Sequence, residues 1–171
     1  QGASPPGVTV TPVYEGSRVL LVEIQSLVVP AKGGISRVFS ERIDSGRVSR
    51  MAAVLEKHLK MRFSDQELYV NVGGGLRLAE VGIELPLCLA LYSARINQSL
   101  PEHSAVVGEV SLAGEVRPVS HLDRRLRTVQ EMGFQRLIHP VQKGGAMSEP
   151  PAFSRPVESV SEAVCSCFSG R

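Results

Sequence analysis

Residues 73–118 read GGGLRLAEVGIELPLCLALYSARINQSLPEHSAVVGEVSLAGEVRP. A Gly-rich turn leads into a segment, about Ile83 to Arg95, that is apolar nearly all round. A helix without a polar face belongs at the centre of a packed domain. Pro86 falls in its first turn, where a missing N–H costs no intrahelical bond. A polar connector follows, and then an apolar stretch, Ser104 to Val110, that reads as one buried strand. The chain turns through Ala113-Gly114 and returns as Glu115 to Val119, which pairs with that strand or its neighbour.

Upstream, apolar and Thr residues alternate from Val8 to Tyr14. Glu15-Gly16-Ser17 is a turn, and Val19 to Val29 is a second strand, so the pair predicts a hairpin. Pro30 to Gly34 interrupts the pattern, and Ile35 to Ile43 is a short edge strand or loop carrying Arg37 and Arg42. Asp44 or Ser45 can cap a helix over Gly46 to Lys60. Its apolar positions Val48, Met51, Ala52, Leu55 and Leu59 make one stripe. At about 100° per residue, Arg50, Lys57 and Lys60 fall on another side, with Arg47 at the edge. Taken alone, that side is an ordinary solvated face. Its alternative is a phosphate-contacting face. Leu68 to Val72 is a strand that delivers the chain to the three glycines.

Downstream, Leu122, Leu126, Val129 and Met132 give His121 to Met132 one apolar face, and Gly133 stops the helix. Ser120 is a candidate cap, and Arg124, Arg125 and Arg127 are assigned to the polar side. Phe134 to His139 is a strand ended by Pro140. Residues 141–156 are rich in Gly and Pro and predict a loop, and Val160 to Phe168 a closing helix. Strands and helices mix without a repeating βα unit, which predicts an α+β fold with a mixed sheet packed against helices.

Of the 171 residues 43% are apolar, enough for one sizeable core. The net charge of +2 means that any basic surface must come from local clustering. Cys88, Cys165 and Cys167 are odd in number and form no CxxC pair, against a disulfide framework or a zinc site and in favour of a reducing compartment. No apolar run reaches membrane-spanning length. QGASPPG at the start lacks Met and reads as a linker, so residues 1–7 are expected to precede a domain over 8–171 cut from a longer protein.

Several chemistries fail on residue type. Gly73-Gly74-Gly75 is followed by Leu76-Arg77 and Gly144-Gly145 by Ala146-Met147, so neither supplies the GxxxxGK[ST] of a nucleotide phosphate loop. His58, His103, His121 and His139 are scattered, with no HExxH, so no metal is expected. Ser120, His121 and Asp123 are too close in sequence to converge as a triad and read as a helix N-terminus.

The ordered stretches VNVGGGLRLAE, VVGEVSLAGEVRPV and GFQRLIHP resemble the C-terminal Lon-protease-like domain of the bacterial RadA (Sms) recombination family. So do Glu15 to Val28 and, in the first helix, Ile43 to Arg47 with Ala53 to Lys57. The resemblance runs from about Val10 to Phe168 and implies a Lon-protease-like fold of the ribosomal protein S5 domain 2 type. Val81-Gly82-Ile83-Glu84 and Pro86 depart from the family pattern.

Lon-type proteases use a Ser–Lys dyad. With Val107 to Val110 and Arg117 to Val119 aligned on the family strands, the Ser position falls on Gly82 and the Lys position on Arg125. Their separation, 125 − 82 = 43, matches the Lon dyad without a gap. Glycine is no nucleophile, and arginine stays protonated and cannot be the base. No catalytic residue is therefore expected, and neither protease nor ATPase activity. The family implies an ATP-driven hexameric DNA motor for branch migration, with zinc and ATP–magnesium sites ahead of this domain and none within it. It further implies a bacterial cytoplasm, or an organelle of bacterial descent, and partners that are single-stranded or branched DNA, further copies of the chain and a RecA-type recombinase. Candidate DNA-contacting residues are Arg37, Arg42, Arg47, Arg50 and Lys57. The alternatives are a pure ring-assembly module and a peptidase with residual activity.

Overall fold

The computed structural model of the chain describes residues 4–142 and 153–168. Val8–Glu15 (β1) and Arg18–Pro30 (β2) form the expected antiparallel hairpin, in register from Val8↔Gln25 to Glu15↔Arg18. Gly16 turns it with φ of 65°, a left-handed value that glycine adopts without steric cost. Arg37–Ser40 (β3) is the edge strand of the same sheet. Ser45–Leu59 (α1) follows, and Gln66–Val72 (β4) completes the sheet in the order β1-β2-β4-β3. β2 and β4 are antiparallel and β3 and β4 parallel, so the sheet is mixed.

Asp44 is the cap of α1, its carboxylate accepting the Arg47 N–H at 3.0 Å. Val48, Met51, Ala52 and Leu55 are buried as their spacing requires. Val54 joins them, while Leu59 is only partly covered. Glu84–Ile96 (α2) is the central helix: Leu85, Leu87, Cys88, Leu89 and Leu91 are completely buried. It packs on β1, β2 and α1. Pro86 is its third residue, within the first turn. The Leu85 N–H, which no helical carbonyl can satisfy, is met by the Gly108 carbonyl at 2.9 Å.

The apolar run from Ser104 to Val110 is not one strand. It divides into Ser104–Val106 (β5) and Glu109–Val110 (β6), which belong to different sheets. The cause is the start of α2, which takes the backbone at the break. Gly108 donates to the Gly82 carbonyl at 2.9 Å and accepts from Leu85. A Cβ at Gly108 would stand 3.0 Å from Val116 Cγ1 and 3.3 Å from Leu85, a close approach that favours glycine. Val116–Arg117 (β7) pairs with β6 antiparallel.

Leu122–Glu131 (α3) follows. Ser120 does not cap it. His121 holds the cap position at φ 55°, with no side-chain cap bond. Arg136–Pro140 (β8) runs parallel to β5. The loop expected over 141–156 contains a strand instead, Ser154–Val157 (β9), parallel to β8 at the sheet edge. Pro156 is tolerated there because an edge strand has one row of unpaired N–H groups. Gly144 and Gly145 lie outside the described residues. Val160–Phe168 (α4) closes the fold against α2 and α1.

The larger core lies between the four-stranded sheet and α1, α2 and α4. A second cluster, Ala105, Val107, Leu122, Leu126, Val129 and Leu137 among others, joins α3 to β5 and β8, with Leu21 of β2 against it. The packed structure reaches back to Gly7, inside the stretch read as linker: its carbonyl accepts from Ser26 and its N–H donates to Ser93 Oγ, both at 2.8 Å. Cys88, Cys165 and Cys167 are free thiols. Burial raises the pKa of the Cys88 thiol and pushes that of Cys167 up to about 12, while Cys165 is exposed. Among the described residues no helix is long and apolar enough to cross a membrane.

Candidate functional site

Positions 82 and 125, far apart in sequence, meet in space. Gly82 lies in the turn that opens α2, and Arg125 in the first half of α3. A Cβ on Gly82 would stand 3.5 Å from Arg125 Nη1 and 2.6 Å from Glu80 Oε2. A side chain at 82 would therefore collide with the carboxylate that Arg125 grips.

Arg125 is among the largest fully buried side chains, at 1% exposure. This corrects its assignment to the polar side of its helix. The stripe already pointed inward: Leu122, Arg125, Leu126 and Val129 stand at i, i+3, i+4 and i+7. Its guanidinium is bonded on every side. Nε donates to the Ser120 carbonyl at 2.8 Å and Nη1 to the Pro12 carbonyl at 2.8 Å. Nη1 also reaches Glu80 Oε1 at 3.1 Å, and Nη2 reaches Oε2 at 2.9 Å, a two-pronged ion pair. Ser120 Oγ accepts a further bond from Nη2 at 3.3 Å. Glu80 Oε1 in turn accepts the Tyr14 N–H at 2.8 Å. One side chain thus ties β1, the loop before α3 and the start of α2. Sequence reading missed Glu80, whose only signal is a lone carboxylate two residues before Gly82.

The surface beside this centre is layered. The His121 ring stacks on Tyr14 with centroids 3.8 Å apart, and Arg124 lies over Tyr14, donating to its hydroxyl at 3.0 Å. Ser120, His121 and Asp123 therefore sit at a helix start that serves Arg125 and Tyr14. Among the described residues no group of three His, Cys, Asp or Glu side chains could hold a metal ion.

The five basic candidates divide by environment. Arg50 and Lys57 are exposed on α1, with Gly46 and Ala53 in the same line at helical spacing. Arg42 is exposed beside the glycine turn: its Nη2 is 3.8 Å from where a Cβ on Gly75 would be, and its carbonyl accepts the Leu78 N–H. Among the described residues none of these three has an ion-pair partner. Arg47 is turned inward at 17% side-chain exposure. Its Nη1 donates to the carbonyls of Ala79 and Glu80, and its Nε is 3.6 Å from Glu84 Oε2. Buried Glu84 is satisfied on its other oxygen by the Val110 N–H at 2.9 Å. Arg37 is exposed but pairs with Glu67 at 3.1 Å and lies over Phe39.

A family model described as subunit ChlI of Mg-chelatase matches residues 42–143, well over half of the chain, from the end of β3 past β8. The DNA repair protein RadA of Treponema pallidum is 49% identical over 170 residues, covering 99% of this chain. RadA of Halalkalibacterium halodurans is 40% identical over 84% of it, and RadA of Bacillus subtilis 33% identical over 99%. The chain spans about a third of these relatives: 37%, 32% and 37% of their lengths in turn. A mixed sheet with helices packed on it agrees with the Lon-protease-like fold that the sequence implied. The chain therefore belongs to the family that the ChlI model describes and to that of the RadA DNA repair proteins.

Proposed function

We propose that the chain is an oligomerising, DNA-contacting scaffold domain of a RadA-type, ATP-dependent DNA branch-migration motor in recombination and repair. The kinship with proteins named for DNA repair supports the setting. The observation that carries the DNA contact is the set of exposed cations without ion-pair partners among the described residues, Arg50 and Lys57 on α1 and Arg42 just before it, beside the glycine turn. Such groups set position on a phosphate backbone without choosing sequence. Arg37, paired with Glu67, lies on the other face of the sheet, and Arg47 holds the α2 start in place. Repeated around a hexameric ring, a modest patch becomes a band of positive charge, despite the net charge of only +2. ATP, magnesium and zinc belong in this reading to the remaining two thirds of a RadA-type protein, and a RecA-type recombinase is its partner.

The Gly82–Arg125 centre is read as a protease dyad replaced by structure. Glycine offers no nucleophile, and a guanidinium locked to Glu80 offers no base. The chain should leave unfolded casein uncut.

Charge reversal tests the DNA surface. Arg50→Glu with Lys57→Glu should weaken binding to every single-stranded sequence alike. It should flatten the slope of log K against log salt by about 0.7 for each phosphate no longer neutralised. Assembly, followed by light scattering, should not change. Unchanged DNA binding would remove these residues from the site and leave a pure assembly module.

A further inference from the structure

The sheet face opposite α1 and α2 is open over its β2–β4–β3 half. Phe39 on β3 and Tyr69 on β4 are register partners. Their rings stack with centroids 4.7 Å apart and planes 12° from parallel. They remain 42% and 37% exposed. Leu27 of β2, the partner of Tyr69 on the other side, is 57% exposed. Beside them the Asn71 amide donates to Gln25 Oε1 at 3.1 Å, so two amides stand at the edge of the apolar strip.

Together these side chains line a groove of about 590 Å³. That is the size of a small-molecule site rather than of a protein–protein face. Beyond the groove's lining, Arg37 and Arg42 flank β3. Arg37 lies over Phe39, its Cζ 5.5 Å from the ring centre, at the start of β3. Arg42 follows its end, beside the glycine turn that ends β4. Because β3 and β4 are parallel, the rings lie between these two positions.

We propose that this groove is a stacking platform for unpaired nucleobases of a single strand. The inference rests on the DNA-contacting reading above and specifies what the surface recognises. Rings already in register offer a π-face on which a base continues the stack, at any sequence. The Asn71 amide beside the stack suits a base edge, Gln25 Nε2 being engaged by Glu23 Oε1 at 2.8 Å, and Arg42, without an ion-pair partner among the described residues, suits a flanking phosphate. Glu67 stays ionised and already engages the Arg37 charge, so Arg37 stacks on Phe39 without being a free phosphate contact. The Glu67 carboxylate accepts from Arg37 and from the Tyr69 hydroxyl at 2.9 Å, and those bonds hold its pKa below the usual carboxylate value. Glu41, which also lines the groove, repels phosphate at that point.

The test compares oligo(dT) with an abasic oligonucleotide of equal length, and follows tyrosine emission. The chain has no Trp and three Tyr, so a base stacked on Tyr69 should quench part of that emission. Oligo(dT) should bind about tenfold tighter than the abasic strand. Phe39→Leu with Tyr69→Leu keeps an apolar face but removes both π-systems. It should abolish that difference and the quenching while leaving the salt slope unchanged. Equal affinity for the two strands, or a Leu variant that binds and quenches like the parent, overturns the platform but leaves phosphate contact standing. A Leu variant that loses self-association and keeps its preference for oligo(dT) also overturns it, assigning the face to a second copy. Failure of both strands to bind at low salt overturns the DNA reading and the platform with it.

Discussion

Arg125 shows how a cation is accommodated in a core. Each bonded nitrogen finds an acceptor, and Glu80 balances its charge. Its helix is otherwise charge-rich outside and apolar inside, and the guanidinium occupies an inward position at 1% exposure. Breaking such a pair from one side leaves an uncompensated charge. Arg125→Met should therefore cost about 3–5 kcal/mol in a denaturant titration. Adding Glu80→Gln should return a large part of that loss, because the orphaned carboxylate is then neutral. Strictly additive losses would show that the two residues act separately. The pairing of positions 82 and 125 was legible, because a family spacing of 43 residues brought them to one place. Glu80 was not, since nothing in a lone surface-type residue announces that an arginine from another helix will reach it. The internal bonds of Arg47 were hidden for a related reason. Helical periodicity put it at the edge of the exposed face, but its long side chain bends back to the carbonyls of Ala79 and Glu80.

Elements were legible where periodicity was strong and local. The hairpin, α1 with its Asp44 cap, and the apolar α2 follow from spacing and capping chemistry. Asp44→Ala should lower stability by about 1 kcal/mol, because the Arg47 N–H then loses its side-chain acceptor. A loss below a few tenths, measured by thermal unfolding, would mean that water replaces the cap without penalty. Two elements were misread, and tertiary contact explains both. The run from Ser104 to Val110 has the composition of one strand, but the start of α2 claims the backbone at Gly108 and splits it. β9 carries Pro156 within a Gly- and Pro-rich stretch, yet it needs only one row of bonds, which β8 supplies.

For the whole molecule, composition gave little warning of the nucleic-acid surface proposed above, since the charges nearly cancel. What distinguishes the chain is distribution. Arg125 and Arg47 are engaged internally, whereas Arg42, Arg50 and Lys57 face outward without ion pairs among the described residues. The first two join the elements around the α2 start, and the other three are available to a partner. The fold class was legible from the order of elements and from resemblance along the chain. The surface was not, because which arginines are spent inside depends on contacts between α1, α3 and the 79–84 segment.

Everything functional proposed for this domain turns on whether it touches DNA through the phosphates. Fluorescence anisotropy of labelled single-stranded DNA against the intact, folded chain, across a range of salt, decides that. Phosphate contact predicts binding whose log K falls linearly with log salt, with a slope of about −2 if three phosphates are neutralised. Absence of binding at low salt by folded, assembled protein, or binding indifferent to salt, would contradict it and move the DNA path to another part of a RadA-type protein.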